Sequence, residues 1–210
     1  MRDRPLIVVC GCIGAGKSTA VCSLSSTLGY VGRVERYERN RFLGRFYEDA
    51  PRWAFHSQLW FLLEKSRCCE QLREPMMGVV KELDAMLVLE VMSRELETRG
   101  YLSSHEMSML REVAAFGKCM PPDLYLFLDA EVDVLYERIQ ARGRAIERHI
   151  ELDYLAALRD RYISVLGRQS VPSLTIQTDR IDLRTPQGVL TVVEMIGDSA
   201  LAKARSRSEF

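Results

Sequence analysis

Short apolar runs alternate along the chain with longer segments in which apolar positions recur at helical spacing. The apolar runs predict five β-strands, at residues 6–10, 30–34, 77–80, 124–128 and 174–177. Helical patterns predict helices at residues 19–28, 84–99, 129–142, 151–166 and 186–204, with two more that begin at Pro51 and Ser103. Strands that alternate with helices are typical of an α/β fold, here a five-stranded parallel sheet with helices on both faces.

Local signals mark several helix ends. Pro51 suits the first turn of a helix, and Gly100 and Gly143 end the helices that precede them. Ser103 and Glu106 have the spacing of a capping box, in which each side chain accepts a hydrogen bond from the other's backbone N–H. No repeat or low-complexity linker interrupts the pattern. We therefore expect a single domain over residues 1–200, followed by a charged tail over residues 201–210.

Residues 11–18, GCIGAGKS, have the G-x-x-x-x-G-K-S spacing of a phosphate-binding loop, or P-loop. They follow the first predicted strand and precede the first predicted helix, which is the context that this motif requires. The glycines let several backbone N–H groups point at one anion, the lysine reaches the terminal phosphates, and the serine hydroxyl can ligate Mg²⁺. The sequence thus predicts ATP and Mg²⁺ as cofactors, bound by Gly11, Gly14, Gly16, Lys17, Ser18 and Thr19.

Composition narrows the function classes. The 210 residues are 47% hydrophobic and 28% charged, and 29 basic side chains balance 29 acidic ones. A net charge of zero gives no electrostatic case for binding nucleic acid or a membrane surface, and it does little to oppose self-association. No apolar segment is long enough to span a membrane, and the six cysteines lack metal-site spacing. We therefore expect an intracellular protein in a reducing compartment, as an oligomer or with a stable partner.

Charged residues that follow predicted strands or flank a helix break are the candidates for chemistry. Glu35 follows the second strand and is either a general base or a loop carboxylate among arginines. Glu82 follows the third strand and is either a Mg²⁺ group or a helix cap. The arginines around the break at Gly143 form either a lid over ATP or a solvated basic helix end; they are Arg138, Arg142 and Arg144.

An aromatic and amide cluster surrounds the start of the helix at Pro51. Buried helix packing accounts for most aromatic residues in such a place, whereas Gln58 can also hydrogen-bond the edge of a nucleobase. Residues 40–58 read NRFLGRFYEDAPRWAFHSQ. This stretch resembles the N-P-x-L-x-x-F-Y-x-D-P-x-x-W-A-F-x-x-Q segment of the deoxynucleoside kinase family, which includes deoxycytidine, deoxyguanosine, deoxyadenosine and mitochondrial thymidine kinases.

Three further segments are similar to the same family. They are residues 99–101 (RGY), 122–129 (PDLYLFLD) and 137–144 (ERIQARGR). The resemblance extends from Leu6 to about Ile196. It implies a P-loop kinase fold with a lid, and it implies a role for each matching residue.

On the acceptor side, the resemblance implies that Glu35 takes the proton from the 5′-hydroxyl group of a nucleoside. Tyr47 and Glu147 would hold the 3′-hydroxyl group. Gln58 would hydrogen-bond the base, with Trp53 among the substrate-binding residues. These assignments describe a nucleoside substrate held beside the P-loop.

On the donor side, the resemblance implies that Lys17 and Ser18 bind ATP phosphates and Mg²⁺, and that Glu82 assists the metal. The lid would neutralise the transferring phosphoryl group through Arg138, Arg142 and Arg144. The family also implies dimers formed by packing helices, here those around residues 59–63 and 87–91.

Several positions depart from the family pattern. The family has Asp/Glu-Arg-Ser after the third strand, whereas residues 82–84 read ELD, so Leu83 replaces the arginine that orients the base carboxylate. Arg36 stands where the family has proline and could fill the vacated place from the other side. The Arg/Asp pair that purine- and cytidine-type members use on the base becomes Lys65 and Val88, so strong purine or cytosine selectivity is not expected.

The sequence leaves two main interpretations open. The first is an active nucleoside salvage kinase, which transfers phosphate from ATP to a (deoxy)nucleoside 5′-hydroxyl group and acts as a homodimer in the cytoplasm or mitochondrial matrix. The second is a degenerate homologue retained as a structural or nucleotide-sensing subunit of a large assembly, like the kinase-related accessory subunit of mitochondrial respiratory complex I. Leu83, the altered base pocket and the neutral net charge fit the second, but the P-loop and the matching segments favour the first. A P-loop kinase for another small acceptor is a further alternative.

Overall fold

Five parallel strands form the central sheet of the fold. A computed structural model describes residues 4–71, 77–117, 119–148 and 150–208, with side chains except those of residues 71 and 200–208. The strands pair in the order β2-β3-β1-β4-β5, and each pair of neighbours is parallel. This arrangement confirms the predicted sheet, with strands β1 (Leu6–Gly11), β2 (Val31–Arg33), β3 (Val79–Glu82), β4 (Leu124–Asp129) and β5 (Ser173–Gln177).

Strand β3 begins and ends two residues later than its apolar run indicates. Met77 is 49% exposed. Lys81 and Glu82 are polar but are only 3% and 6% exposed within the strand. Hydrophobic patterning cannot detect buried charged residues, so the predicted strand ends too early, and the end of β3 carries buried polar side chains instead of apolar ones.

Helices connect the strands and pack against the sheet and against each other. Most of them match a predicted segment, although the short helix before Pro51 was not predicted. They are α1 (Lys17–Leu28), α2 (Leu43–Glu48), α3 (Ala50–Gln71), α4 (Ala85–Leu87), α5 (Arg94–Thr98), α6 (Ser104–Phe116), α7 (Val132–Arg142), α8 (Leu152–Gly167) and α9 (Pro186–Ser208).

Two boundary predictions are confirmed and two helices differ from expectation. Ser103 and Glu106 form the capping box at the start of α6, and Gly143 ends α7 in a left-handed conformation. The predicted helix at 84–99 contains a π-helical turn, Val88–Ser93, between α4 and α5, which a 3.6-residue period does not reveal. Helix α9 continues to Ser208. The predicted tail, 201–210, lies outside the described side chains, so the division into domain and tail stays a prediction.

Two apolar clusters hold the elements together. One contains the sheet with α1, α7 and α8, and the other lies among α2, α3 and α6. The segment 87–91, expected near a dimer interface, contributes Leu87, Val88 and Val91 to these cores, and all three are 0% exposed. These three side chains are buried within one chain, so they offer no surface to a partner; the dimer itself stays a prediction.

A disulfide bond joins Cys69, near the end of α3, to Cys119, which follows α6. The sequence predicts a reducing compartment and therefore no disulfide, so this bond differs from that expectation. Cys10 and Cys12, at the P-loop, are free and buried. None of the helices, across the residues described, is long and apolar enough to cross a membrane.

Candidate active site

The P-loop joins β1 to α1 in a conformation that requires glycine. A Cβ on Gly11 would lie 2.3 Å from the Leu128 carbonyl oxygen, so only glycine fits against β4 at this point. Gly14 has a φ of 86°, which L-residues rarely adopt. The Lys17 ammonium donates to the carbonyl oxygens of Gly11 and Cys12, at 3.0 and 2.8 Å. The loop thus holds a cation at the N-terminus of α1, where an anion is favoured.

Two cavities meet at this loop. The first has a volume of about 320 Å³ and extends from the loop towards α2, α3 and α8. The second, of about 580 Å³, lies between the loop and residues 178–184, which follow β5. Gly14, Gly16, Thr19 and Arg142 line both. Phosphates on the loop would therefore lie between a nucleotide in the second cavity and an acceptor in the first.

The first cavity gathers most of the residues that the sequence predicted for binding and catalysis. Gln58 is 4% exposed, and its Oε1 accepts a hydrogen bond from the Ser93 hydroxyl at 3.3 Å, which fixes the amide. Apolar side chains that the sequence did not single out complete the wall, among them Leu43, Phe46, Phe61, Leu83 and Met92. The predicted residues that line it are Gly14, Gly16, Lys17, Ser18, Thr19, Glu35, Tyr47, Gln58, Glu82, Arg142, Arg144 and Glu147.

Glu35 lies at the edge of the first cavity and is paired with a buried lysine. The Lys65 ammonium donates to Glu35 Oε1 in a short contact, and it also donates to the Glu82 carbonyl oxygen at 3.3 Å. The side chains of Lys65 and Glu35 are 8% and 15% exposed. The carboxylate expected to act as a base is therefore held by a cation from α3.

Glu82 is a buried carboxylate that is suited to bind a cation. Its Oε1 is buried and has no hydrogen-bond partner among the described residues. Burial raises the pKa of Glu82, whereas the Lys17 ammonium and the Ser18 hydroxyl act to lower it. Carboxylate and hydroxyl oxygens are ligands that Mg²⁺ prefers. Glu82 and Ser18 therefore fit a Mg²⁺ ion that would receive its remaining ligands from phosphates and water.

Replacing Glu82 with glutamine is expected to stabilise the protein in the absence of metal and nucleotide. Because burial raises the pKa of Glu82 above an unfolded value of about 4.3, ionisation destabilises the fold as pH rises through and above that value. We expect Glu82→Gln to exceed wild type in unfolding free energy at pH 8, and by less at pH 5. Urea unfolding in a chelator measures both; a pH-independent difference would contradict the expectation.

The lid residues converge on one carboxylate. Glu147 is 5% exposed, and its Oε2 accepts from Arg142 Nε at 2.7 Å while its Oε1 accepts from Arg144 Nη1 at 3.3 Å. The Arg144 guanidinium also lies 4.1 Å from the centre of the Tyr37 ring. Burial raises the pKa of Tyr47, so its hydroxyl stays protonated and can donate a hydrogen bond. Arg142, Arg144, Glu147 and Tyr47 therefore form the mouth of the first cavity.

Besides Gly11, two predicted site residues do not line the first cavity, namely Arg138 and Trp53. Arg138 lines the second cavity and donates to Thr178 Oγ1 and the Thr178 carbonyl oxygen, at 2.9 and 2.7 Å, so it borders the donor side only. Trp53 lines neither cavity. The guanidinium carbons of Arg45 and Arg52 lie 4.8 and 5.4 Å from the centre of its ring. The expected contact of Trp53 with substrate is not supported by this position, because the ring packs against the apolar cluster among α2, α3 and α6 and lines neither cavity.

Sequence reasoning missed two parts of the site. Lys65 was noted only as a departure from the base-binding pair, although it lies seven residues after Gln58 on α3 and hence on the same helix face. Residues 178–184 were not singled out, although they follow β5 at the edge where parallel sheets bind ligands. Asp129, the last residue of β4, accepts hydrogen bonds from the Arg159 guanidinium at 2.7 and 2.9 Å.

Comparison with known proteins agrees with the geometry. Residues 7–195 match the family model "Deoxynucleoside kinase". The chain is 27% identical over 183 residues to a deoxyadenosine/deoxycytidine kinase of Bacillus subtilis, covering 85% of this chain and 84% of that one. It is 32% identical over 164 residues to a putative deoxynucleoside kinase of Frog virus 3, covering 77% and 83%.

The fold is similar to that of a deoxyadenosine kinase from M. mycoides solved with the products dCMP and a flexible dCDP bound. The TM-score is 0.80 at 19% identity, over 92% of this chain and 99% of the other. This likeness confirms the predicted α/β P-loop kinase fold. Together with the match of the family model over residues 7–195, it leads to one conclusion: the chain belongs to the deoxynucleoside kinase family.

Proposed function

We propose that this protein transfers the γ-phosphoryl group of ATP to the 5′-hydroxyl group of a deoxynucleoside. The observation that carries the proposal is the pair of cavities that meet at the P-loop, with Glu35 lining only the first. The names of the relatives support the same reaction. Nothing in these relatives supports the alternative of a complex I subunit.

On the donor side, ATP occupies the second cavity and its phosphates bind the N–H groups of the loop. Lys17 exchanges the carbonyl oxygens of Gly11 and Cys12 for phosphate oxygens, which bear more negative charge. When bound, Mg²⁺ would be held by Ser18 and Glu82 and would neutralise charge on the phosphates. Arg142 lies at both cavities and adds positive charge beside the transferring group.

On the acceptor side, the deoxynucleoside occupies the first cavity with its base against Gln58. Tyr47 and Glu147 bind the sugar, and Glu35 accepts the 5′-hydroxyl proton as the oxygen–phosphorus bond forms. The bond from the γ-phosphorus to the bridging oxygen breaks at the same time, which releases ADP. Since Gln58 is the one side-chain amide in the described lining of this cavity, we propose little selectivity between bases.

We also propose that the protein acts inside a cell, where ATP is available, and that it forms a homodimer through α3 and α6. These two helices pack against each other and expose apolar side chains. Phe116 and Met109 of α6 are 82% and 43% exposed, and Leu63 of α3 is 41% exposed. Burying such side chains favours association, and light scattering of the purified protein measures the oligomeric state.

The proposed reaction is tested with purified protein, ATP, Mg²⁺ and a panel of deoxyadenosine, deoxyguanosine, deoxycytidine and thymidine. Release of ADP and formation of the nucleoside 5′-monophosphate are followed together, the latter by mass spectrometry. The 5′-deoxy analogue of the best substrate is the matched control and should give no product. ADP release that does not depend on any nucleoside, or no turnover at all, would overturn the proposal and favour a structural or nucleotide-sensing role.

Restoring the family arginine with Leu83→Arg is expected not to raise kcat. Leu83 is 1% exposed, belongs to the sheet core and has a φ of 45°, while the cation beside Glu35 is already Lys65. A buried guanidinium without a carboxylate partner should lower the unfolding free energy by about 3 kcal/mol or more. Leu83→Met is the control and should lose less than about 1.5 kcal/mol. A severalfold rise in the kcat of Leu83→Arg would contradict this expectation and would mean that the loss of the arginine limits the activity.

A further inference from the structure

Residue 83 cannot orient the general base, Glu35, in this chain. The Leu83 side chain is apolar and buried, so it offers no charge to a carboxylate. Its backbone N–H is also committed, because it donates to the Val9 carbonyl oxygen at 3.0 Å. A base that is free to rotate would contribute less to catalysis than one fixed on the reacting hydroxyl group. Another group must therefore orient Glu35 if the proposed reaction is to proceed.

Arg36 does not replace the missing arginine beside Glu35. The sequence allowed Arg36 to replace the missing cation from the other side. Arg36 is exposed, and within the described residues it makes no ion pair with Glu35. The structure therefore does not support the expectation for Arg36, because the cation that contacts Glu35 is Lys65.

We propose that Lys65 is the positioning residue for Glu35 and takes the part that an arginine after β3 plays elsewhere in the family. The inference rests on the proposed phosphoryl transfer. The Lys65 ammonium holds Glu35 Oε1 and anchors on the Glu82 carbonyl oxygen. One carboxylate oxygen is thereby fixed, and Oε2, which has no protein partner among the residues described, is left to accept the hydroxyl proton.

The position of Lys65 connects the three parts of the acceptor site. It lies on α3 two helical turns after Gln58, so the helix that orients the base also orients the catalytic carboxylate. Its second hydrogen bond is to the backbone of Glu82, the carboxylate that fits Mg²⁺. A buried ion pair adds little stability by comparison with apolar packing. A role in aligning Glu35 with the metal site explains better why this charge is buried.

The test compares Lys65→Met with Lys65→Arg, using kcat and KM for both substrates. Lys65→Met is expected to lower kcat about a hundredfold while the KM values for nucleoside and ATP change less than about threefold. Lys65→Arg keeps the charge and should retain kcat within about fivefold. Arg67→Met is the matched control, because Arg67 lies on the same helix, its side chain is 65% exposed, and its ion pair in the described part of the chain is with the neighbouring Glu64; it should match wild type.

Each alternative outcome is informative. An active wild type with an equally active Lys65→Met overturns this inference and leaves the proposed function intact. A folded Lys65→Arg as slow as Lys65→Met also overturns it, since the charge would then not be the essential property. If Lys65→Met does not fold, Lys65→Gln provides the uncharged variant, and wild-type kcat in it has the same meaning. A wild type that phosphorylates no nucleoside overturns the proposed function and this inference together.

Discussion

Glutamine in place of Glu35 is expected to lower kcat for nucleoside phosphorylation by about 10²–10⁴, the usual contribution of a positioned general base. Glutamine has nearly the same shape, and its carbonyl oxygen can still accept from Lys65, so the cavity should be preserved. What disappears is the carboxylate that receives the 5′-hydroxyl proton. Initial rates at saturating ATP over a range of nucleoside concentrations measure the change, and KM should vary only a few-fold.

Glu38→Gln is the matched control for this variant. Glu38 lies three residues further along, in the 3₁₀ turn Tyr37–Arg39, and is exposed outside the first cavity. It should retain wild-type kcat, because its carboxylate does not line the acceptor cavity. If Glu35→Gln kept more than about a tenth of wild-type kcat, proton transfer to Glu35 would not be a significant part of the reaction, and a water molecule or the phosphate itself would have to accept the proton.

The parts of this molecule that were predictable are those encoded by neighbouring residues. The P-loop is recognisable because its glycines must sit at fixed spacing between a strand and a helix, and the structure confirms that context around Gly11 and Gly14. The strands of the sheet centre were predictable because they are buried on both faces and thus continuously apolar, as β4 is. The capping box at Ser103 is local in the same way.

The parts that were not predictable depend on contacts between distant segments. Lys65 and Glu35 are 30 residues apart, and nothing in either neighbourhood indicates that the ammonium reaches the carboxylate. Arg138 has helical spacing to Arg142 but binds Thr178, which is 40 residues away. Cys69 and Cys119 are joined across 50 residues. Sequence patterns therefore identified the residues that line the first cavity more reliably than the residues that hold them in place.

Leu83 shows how this limit affects functional inference. A missing arginine in a local motif suggested an eroded acceptor site, because the motif alone cannot reveal compensation from elsewhere. In the folded chain, a cation contacts the same carboxylate from α3 and not from the end of β3. Loss of one motif residue is thus weak grounds for inferring loss of activity when a second buried cation contacts the group that it served.

Lys17→Ala is expected to lower kcat by about 10²–10³, because it removes a preorganised cation that would stabilise the negative charge on the transferring phosphoryl group. The variant should still fold, since the hydrogen bonds of Lys17 among the described residues go to the loop carbonyl oxygens of Gly11 and Cys12. ATP binding should weaken as well, and calorimetric titration with a non-hydrolysable ATP analogue separates that effect from the change in kcat.

The control for Lys17→Ala is Arg168→Ala, which removes an exposed cation that hydrogen-bonds Ser164 at the end of α8 and lines neither cavity. Its kcat should equal that of wild type, which shows that net charge alone is not responsible. If wild type and Lys17→Ala were equally inert although wild type binds the analogue, the P-loop would serve nucleotide binding without transfer. A Lys17→Ala variant as active as wild type would instead mean that the phosphates bind elsewhere, since no other ammonium among the described residues lines the first cavity.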